Sequence, residues 1–184
     1  RPTMVYPAGG KAGEELRLSF LGDVSGVSTQ SLKLPIGPLG EYAFPFTSGG
    51  LTAPSPNFLR LCSFGNVLEQ EPNNETKTAT PASADLPLAF NGIIEKTGDV
   101  DFFRFKAKAG QRYDVRCVAR GIRSPLDSVL TLHKADGAQI ADNDDSGGPD
   151  SAIAWTVPAD GEYLVGVRDH LGKGGPHYVY RVEF

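Results

Sequence analysis

An all-β fold arranged as two unlike β-sandwich units in series is predicted by three observations. Short runs alternate polar and apolar residues, the period of a strand with one buried face. Glycine and proline, 22 and 14 of 184 residues, interrupt those runs at the spacing expected of turns between short strands. No segment sustains the 3.6-residue period of an amphipathic helix.

Taken in order, the chain enters through the turn-rich stretch Ala8-Gly9-Gly10-Lys11-Ala12-Gly13. Glu15 to Phe20 then alternates as a half-buried strand, and Ser31 to Leu34, Glu41 to Phe46 and Phe58 to Phe64 are further strands. Pro35, Pro38, Pro45, Pro54 and Pro56 break any helical reading, because proline lacks the donor and clashes with the preceding turn. Residues 1–67 thus read as a small immunoglobulin-like β-sandwich. Residues 68–85 are polar and form an acidic hinge that leads into the second unit, residues 68–184. There Phe103 and Phe105 alternate with Arg104, and Tyr113, Val115 and Cys117 alternate with Asp114 and Arg116. Val129 to His133, Ala152 to Val157, Glu162 to Arg168 and Tyr178 to Phe184 complete seven or eight strands. Turns fall at Ala109-Gly110, Asp136-Gly137 and Asp160-Gly161, and this regular spacing points to a jelly-roll β-sandwich. The two halves do not repeat one another.

A net charge of -4 with no run of Lys or Arg argues against nucleic acid, which needs a basic face. No apolar stretch approaches the roughly 20 residues of a membrane helix, so no membrane insertion is expected. The chain begins at Arg1 without a leader-like segment and reads as an excerpt of a longer protein. Cys62 and Cys117 lie in different halves outside any CxxC spacing. Buried free thiols are the expectation, with a disulfide between the halves left open.

The stretch Glu69-Gln70-Glu71-Pro72-Asn73-Asn74, followed by Gly98-Asp99-Val100-Asp101, carries the clearest chemistry. Its carboxylates and carboxamides are hard oxygen ligands of the kind that suit Ca²⁺, which takes six to eight oxygens. Asp99 and Asp101 are two apart, so on an extended strand both point to one face. Two carboxylates on one face repel unless a cation or an arginine lies between them, and no basic residue interrupts the motif. The competing reading is that they cap the turn after Thr97-Gly98 and stay solvated.

These residues, with Ser124-Pro125-Leu126-Asp127-Ser128-Val129-Leu130, Asp142-Asn143-Asp144-Asp145, Asp160-Gly161-Glu162-Tyr163 and the closing strand Tyr178 to Glu183, make the second half resemble the bacterial pre-peptidase C-terminal domain family. The first half looks like the short immunoglobulin-like units that precede such domains in large planctomycete exported proteins. The resemblance implies a jelly roll that is not itself an enzyme and sits beside secreted proteases and other hydrolases. It is removed there during maturation or serves as a binding module. It also implies Ca²⁺ at the domain's N-terminal edge, as in the similar collagen-binding modules of clostridial collagenases. The positions that match their ligands are Glu69, Glu71, Asn73, Asp99 and Asp101, with Asn74 where an acid or amide is usual and Gly92 near a position that offers backbone oxygen.

A second acidic set, Asp142 to Asp150, copies the first half of an EF-hand loop through Asp142, Asp144, Ser146 and Gly147, but Ile153 stands where the bidentate Glu belongs. Asp127, Asp144 and Asp150 form the weaker metal candidate from neighbouring turns, against the ordinary reading as Asx-turn residues. For catalysis, the three histidines offer no G-x-S-x-G or H-E-x-x-H context, and His133 is expected to face solvent. Trp155 and Tyr163 alternate with apolar neighbours and are expected in the core rather than on a binding platform.

The expectation is therefore a non-catalytic, bacterial extracellular module, secreted, periplasmic or at the cell surface. It would bind a polysaccharide or protein ligand, carry a structural Ca²⁺ at the hinge and adjoin other domains of its parent chain. The alternatives are a processing or secretion accessory of a neighbouring hydrolase or protease, and a structural spacer.

Overall fold

Alternation sorts the residues of the first half onto two faces in the computed structural model, which describes residues 2–145 and 148–184. Its strands are β1 (Met4–Tyr6), β2 (Gly9–Lys11), β3 (Glu15–Leu21), β4 (Ser28–Lys33), β5 (Gly40–Phe44), β6 (Thr47–Ser48), β7 (Leu51–Thr52) and β8 (Asn57–Cys62). They form two three-stranded sheets, ordered β1-β3-β4 and β2-β8-β5, plus the hairpin β6-β7. Leu18 and Phe20 of β3 meet Leu59 and Leu61 of β8, with Val5, Leu34 and Phe44 completing the core. Short strands β1, β2, β6 and β7 escaped the sequence reading. The Gly-Gly-Lys of β2 has no alternation to read, yet it pairs in parallel with Arg60, Leu61 and Cys62. Three-residue β1 is held by Leu21, Phe20 and Ser19 of β3.

The second half contains β9 (Asn66–Leu68), β10 (Thr80–Pro81), β11 (Ala89–Ile93), β12 (Val100–Ala107), β13 (Arg112–Val118), β14 (Ser128–Lys134), β15 (Gln139–Asn143), β16 (Ala152–Thr156), β17 (Gly161–Asp169) and β18 (Val179–Glu183). Two five-stranded sheets, ordered β10-β12-β17-β14-β15 and β16-β13-β18-β11-β9, face each other as a sandwich, so the fold is all-β as expected. Between them lie Phe90, Phe103, Phe105, Val115, Cys117, Leu130, Trp155, Tyr163, Val165 and Tyr180. Trp155 and Tyr163 are core residues, in edge-to-face contact at 4.9 Å. Cys117 is in this core and Cys62 lies outside it; both are buried free thiols.

His133 does not face solvent. It is 8% exposed, with its ring edge-on to Phe102 at 5.4 Å. Gly166 explains why: a Cβ there would come within 2.7 Å of the Phe102 ring, so the bare backbone lets that ring lie over the outer face of the sheet and cover the imidazole.

The halves meet across a built seam. Met4, Ala8 and Leu21 of the first pack with Ile122 and Val179 of the second. Beside them Arg181, fully buried, donates to Glu183 at 2.9 Å, to Asn66 and Asn91 at 2.6 and 3.1 Å, and to Cys62 Sγ at 2.9 Å. A buried guanidinium is tolerated only when its charge and donors are matched in this way. Arg123 places its guanidinium 4.4 Å from the centre of the Phe58 ring, a cation–π contact.

Candidate metal centre

The change from one half to the other falls between β8 and β9. Short β9 adds to the edge of the second sandwich by pairing in parallel with β11, and the next residue continues the ladder, Glu69 N–H donating to Asn91 O at 3.0 Å. The Glu69 side chain then folds back over β11, both carboxylate oxygens accepting from Ile93 N–H at 2.9 and 3.1 Å. Gly92 makes this possible, because a Cβ there would overlap Glu69 Oε2 and Tyr180 Oη.

Residues 70–79 lie along the second half rather than hanging free. Phe102 N–H donates to Asn73 O at 3.0 Å, Arg104 donates to Thr76 O at 2.8 Å, and Gln70 N–H reaches Thr80 Oγ1 at 2.9 Å. From the other side, β12 alternates so that Asp101 shares the inward face with Phe103 and Phe105. Asp101 is fully buried and accepts from Tyr180 Oη at 2.6 Å.

These elements bring one ligand oxygen each from Glu69, Glu71 and Asp101 within 4.8 Å of one another, the trio of metal-ligating side chains found among the described residues. The fully buried Asn73 amide lies against two of them, 3.0 Å from Glu71 Oε1 and 3.1 Å from Asp101 Oδ1. With its NH₂ turned toward them it donates to both; with its carbonyl turned inward, four oxygens converge, an arrangement that a cation stabilises. Burial, joined by the neighbouring carboxylates, pushes Glu69 and Asp101 well above the usual carboxylate range, and loss of water raises Glu71 too. Tyr6, reaching over from the first half, is likewise held far above the ordinary phenol value, first by burial and then by the Glu69 charge.

Asp99 is placed differently. It is buried, but one oxygen accepts from Asn74 Nδ2 and the other from Glu95 N–H at 2.6 Å. Its role in this geometry is to close the turn before β12, with Asn74 as its partner. Gly92 supplies room beneath Glu69. The donor set nevertheless suits a hard cation: three carboxylates and one carboxamide, with the remaining positions of a six- to eight-oxygen shell open to backbone and water.

The weaker set does not gather. Asp150 caps the short 3₁₀ turn, accepting from Ala119 and Arg120 N–H at 3.2 and 2.9 Å. Asp144 faces His170 Nδ1 at 3.3 Å, and Asp127 is tied through its backbone to Asp169 and His170. Ser146 and Gly147 of the EF-hand-like stretch lie outside the described residues. Tyr180 and Tyr6 went unrecognised in the sequence reading. Tyr180 had a signal, an inward position on the last strand beside Val182. Tyr6 had none, since it is distant in sequence and in the other half.

Residues 99–169 match the family model of the bacterial pre-peptidase C-terminal domain. Over 98 residues, 53% of this chain, the sequence is 42% identical to a protein of Deinococcus radiodurans described as a probable subtilase-type serine protease. The match spans 14% of that relative's length. Among solved structures, the pre-peptidase C-terminal domain of a Bacillus anthracis collagenase superposes with a TM-score of 0.45 at 14% identity, over 62% of this chain and 98% of that one; a likeness at that level decides nothing further.

Proposed function

We propose that this chain is a non-catalytic extracellular module that holds one structural Ca²⁺ and serves as an accessory to a secreted hydrolase or protease. The observation that carries the calcium reading is the convergence of Glu69, Glu71 and Asp101 on the buried Asn73 amide. Three carboxylates in partly dry surroundings are costly when ionised together, and a divalent cation offsets that cost. Glu69, Glu71, Asp101 and the Asn73 oxygen would hold the ion. It would supply charge compensation and a cross-link, pinning the linker segment to β12. The angle between the halves is already supported by the seam around Arg181 and Val179, so the ion's task is the linker.

The accessory role is supported by the similarity of about half the chain to a short part of a probable serine protease. A catalytic domain encoded in the same parent chain is the expected finding; a parent without one would favour the spacer. For the ion, the test is a melting curve with Ca²⁺ and with chelator, together with calorimetric titration. An unchanged midpoint and no heat of binding would remove the calcium reading.

The second reading, a module that binds polysaccharide or protein, is favoured by one feature. A cleft of about 410 Å³ opens between the ends of β12, β13 and β17, with half-buried Tyr113 on its wall and Asp85, Lys106, Gln111 and Glu162 around it. An aromatic face ringed by hydrogen-bonding groups suits a sugar or peptide. Pull-down on insoluble polysaccharides and collagenous protein, with Tyr113→Ala as control, distinguishes the two roles. No retention on any of them removes the binding reading and leaves the accessory role and the spacer, which the parent chain separates.

A further inference from the structure

We infer that Tyr6, on the first half, is a positioning residue for the acidic centre of the second, so that cation binding and packing of the seam are linked. This rests on the calcium reading above. The key atom is the carbonyl oxygen of Asn91. It accepts two hydrogen bonds, one from Glu69 N–H at 3.0 Å and one from Tyr6 Oη at 3.3 Å. Glu69 directly follows the three-residue edge strand β9, where fraying is easiest, and that added rung of the ladder sets where its carboxylate goes. Tyr6 therefore touches the same backbone group that aims the ligand.

Its ring is anchored independently of the hydroxyl. Tyr6 and Ile93 both pack on the cluster of Met4, Ala8, Leu21, Ile122 and Val179, and Ile93 is the residue whose N–H holds the Glu69 carboxylate. The two backbone contacts that orient Glu69, at Asn91 and Ile93, are thus both backed by the first half. If the seam steadies Glu69 for the cation, the cation must steady the seam by the same free energy, because linkage is reciprocal.

The experiment is calorimetric Ca²⁺ titration of wild type, Tyr6→Phe and Met4→Ala, with hydrogen exchange of the wild type with and without Ca²⁺. Tyr6→Phe removes only the hydroxyl and should weaken Ca²⁺ binding roughly three- to tenfold, the range of one net hydrogen bond. Met4→Ala loosens the same cluster without touching the Asn91 carbonyl; it should lower the melting point and weaken Ca²⁺ binding less than Tyr6→Phe does, because it acts on Glu69 only through the seam. In the wild type, Ca²⁺ should slow exchange of the β1 amides, a readout that a merely structural tyrosine would not move. Unchanged affinity in Tyr6→Phe or β1 exchange indifferent to Ca²⁺ overturns the coupling, and equal weakening in both variants overturns the positioning role of the Tyr6 hydroxyl, while the calcium reading stands. A wild type that binds no Ca²⁺ overturns both.

Discussion

Arg60 on β8 and Glu183 on the last strand join the two halves through a two-point contact, Nη2 to Oε2 at 2.9 Å and Nε to Oε1 at 3.4 Å. Glu183 also receives Arg181 Nε at 2.9 Å, so one carboxylate serves an arginine from each half. Burial by itself would raise its pKa; the hydrogen bonds and charges of Arg60 and Arg181 outweigh this and hold it below the usual value of 4.5.

The sign of the resulting pH dependence follows directly. A carboxyl depressed in the folded state stabilises the fold above its unfolded pKa, and that stability is lost as pH falls through the folded value. Urea midpoints should therefore decline as pH is lowered below about 4.5, and Glu183→Gln should flatten that decline. Glu183→Ala, which strands the fully buried Arg181, should cost about 3 kcal/mol. A loss well under 1 kcal/mol by chemical denaturation would contradict this account of the seam.

The acidic centre has the opposite slope. Glu69 and Asp101 are raised above their ordinary values of 4.5 and 3.8, first by burial and then by neighbouring carboxylates. Without Ca²⁺ the folded state then holds protons that the unfolded chain has released, so stability falls as pH rises above about 4. Added Ca²⁺ at a hundred times its Kd should restore about 2.7 kcal/mol, roughly 5–11 °C in melting point for a chain of this size. Asp101→Asn should abolish that rise, as differential scanning calorimetry can show.

Gly92→Ala should act on the centre without touching a ligand. The added methyl would overlap Tyr180 Oη and Glu69 Oε2, forcing the carboxylate away from Asp101. The expected result is a destabilisation of about 1–3 kcal/mol with loss of the Ca²⁺-induced rise in melting point. Retention of that rise would show that Glu69 is dispensable.

Trp155 separates core from platform. It is buried against Phe105, Tyr113 and Tyr163, so Trp155→Ala should destabilise by about 3–5 kcal/mol. Whatever polysaccharide or protein the module retains should be unaffected in the fraction that folds. A stable Trp155→Ala protein with lost retention would instead make the indole a contact residue.

Much of this molecule is legible along the chain because alternation reports a local property, which face of a strand a side chain takes. It marks β3, β8, β12, β13, β16 and β17 and places Trp155 and Tyr163 inside. The acidic motif was equally visible, since oxygen ligands are recognised by residue type. Spacing alone, however, grouped Asp99 with Asp101, whereas backbone and amide donors at Glu95 and Asn74 occupy both Asp99 oxygens. Local pattern likewise missed β2 and β9, which exist because distant strands offer them a ladder.

The sequence by itself thus determined the all-β class, the strand faces and the chemical character of the acidic centre. Only the tertiary structure decided that Asp101 is desolvated beneath Tyr180, that Gly92 makes room for Glu69, and that Tyr6 reaches across from the other half. The physical reason is that burial and electrostatic coupling depend on which remote surfaces meet, and no local period carries that information.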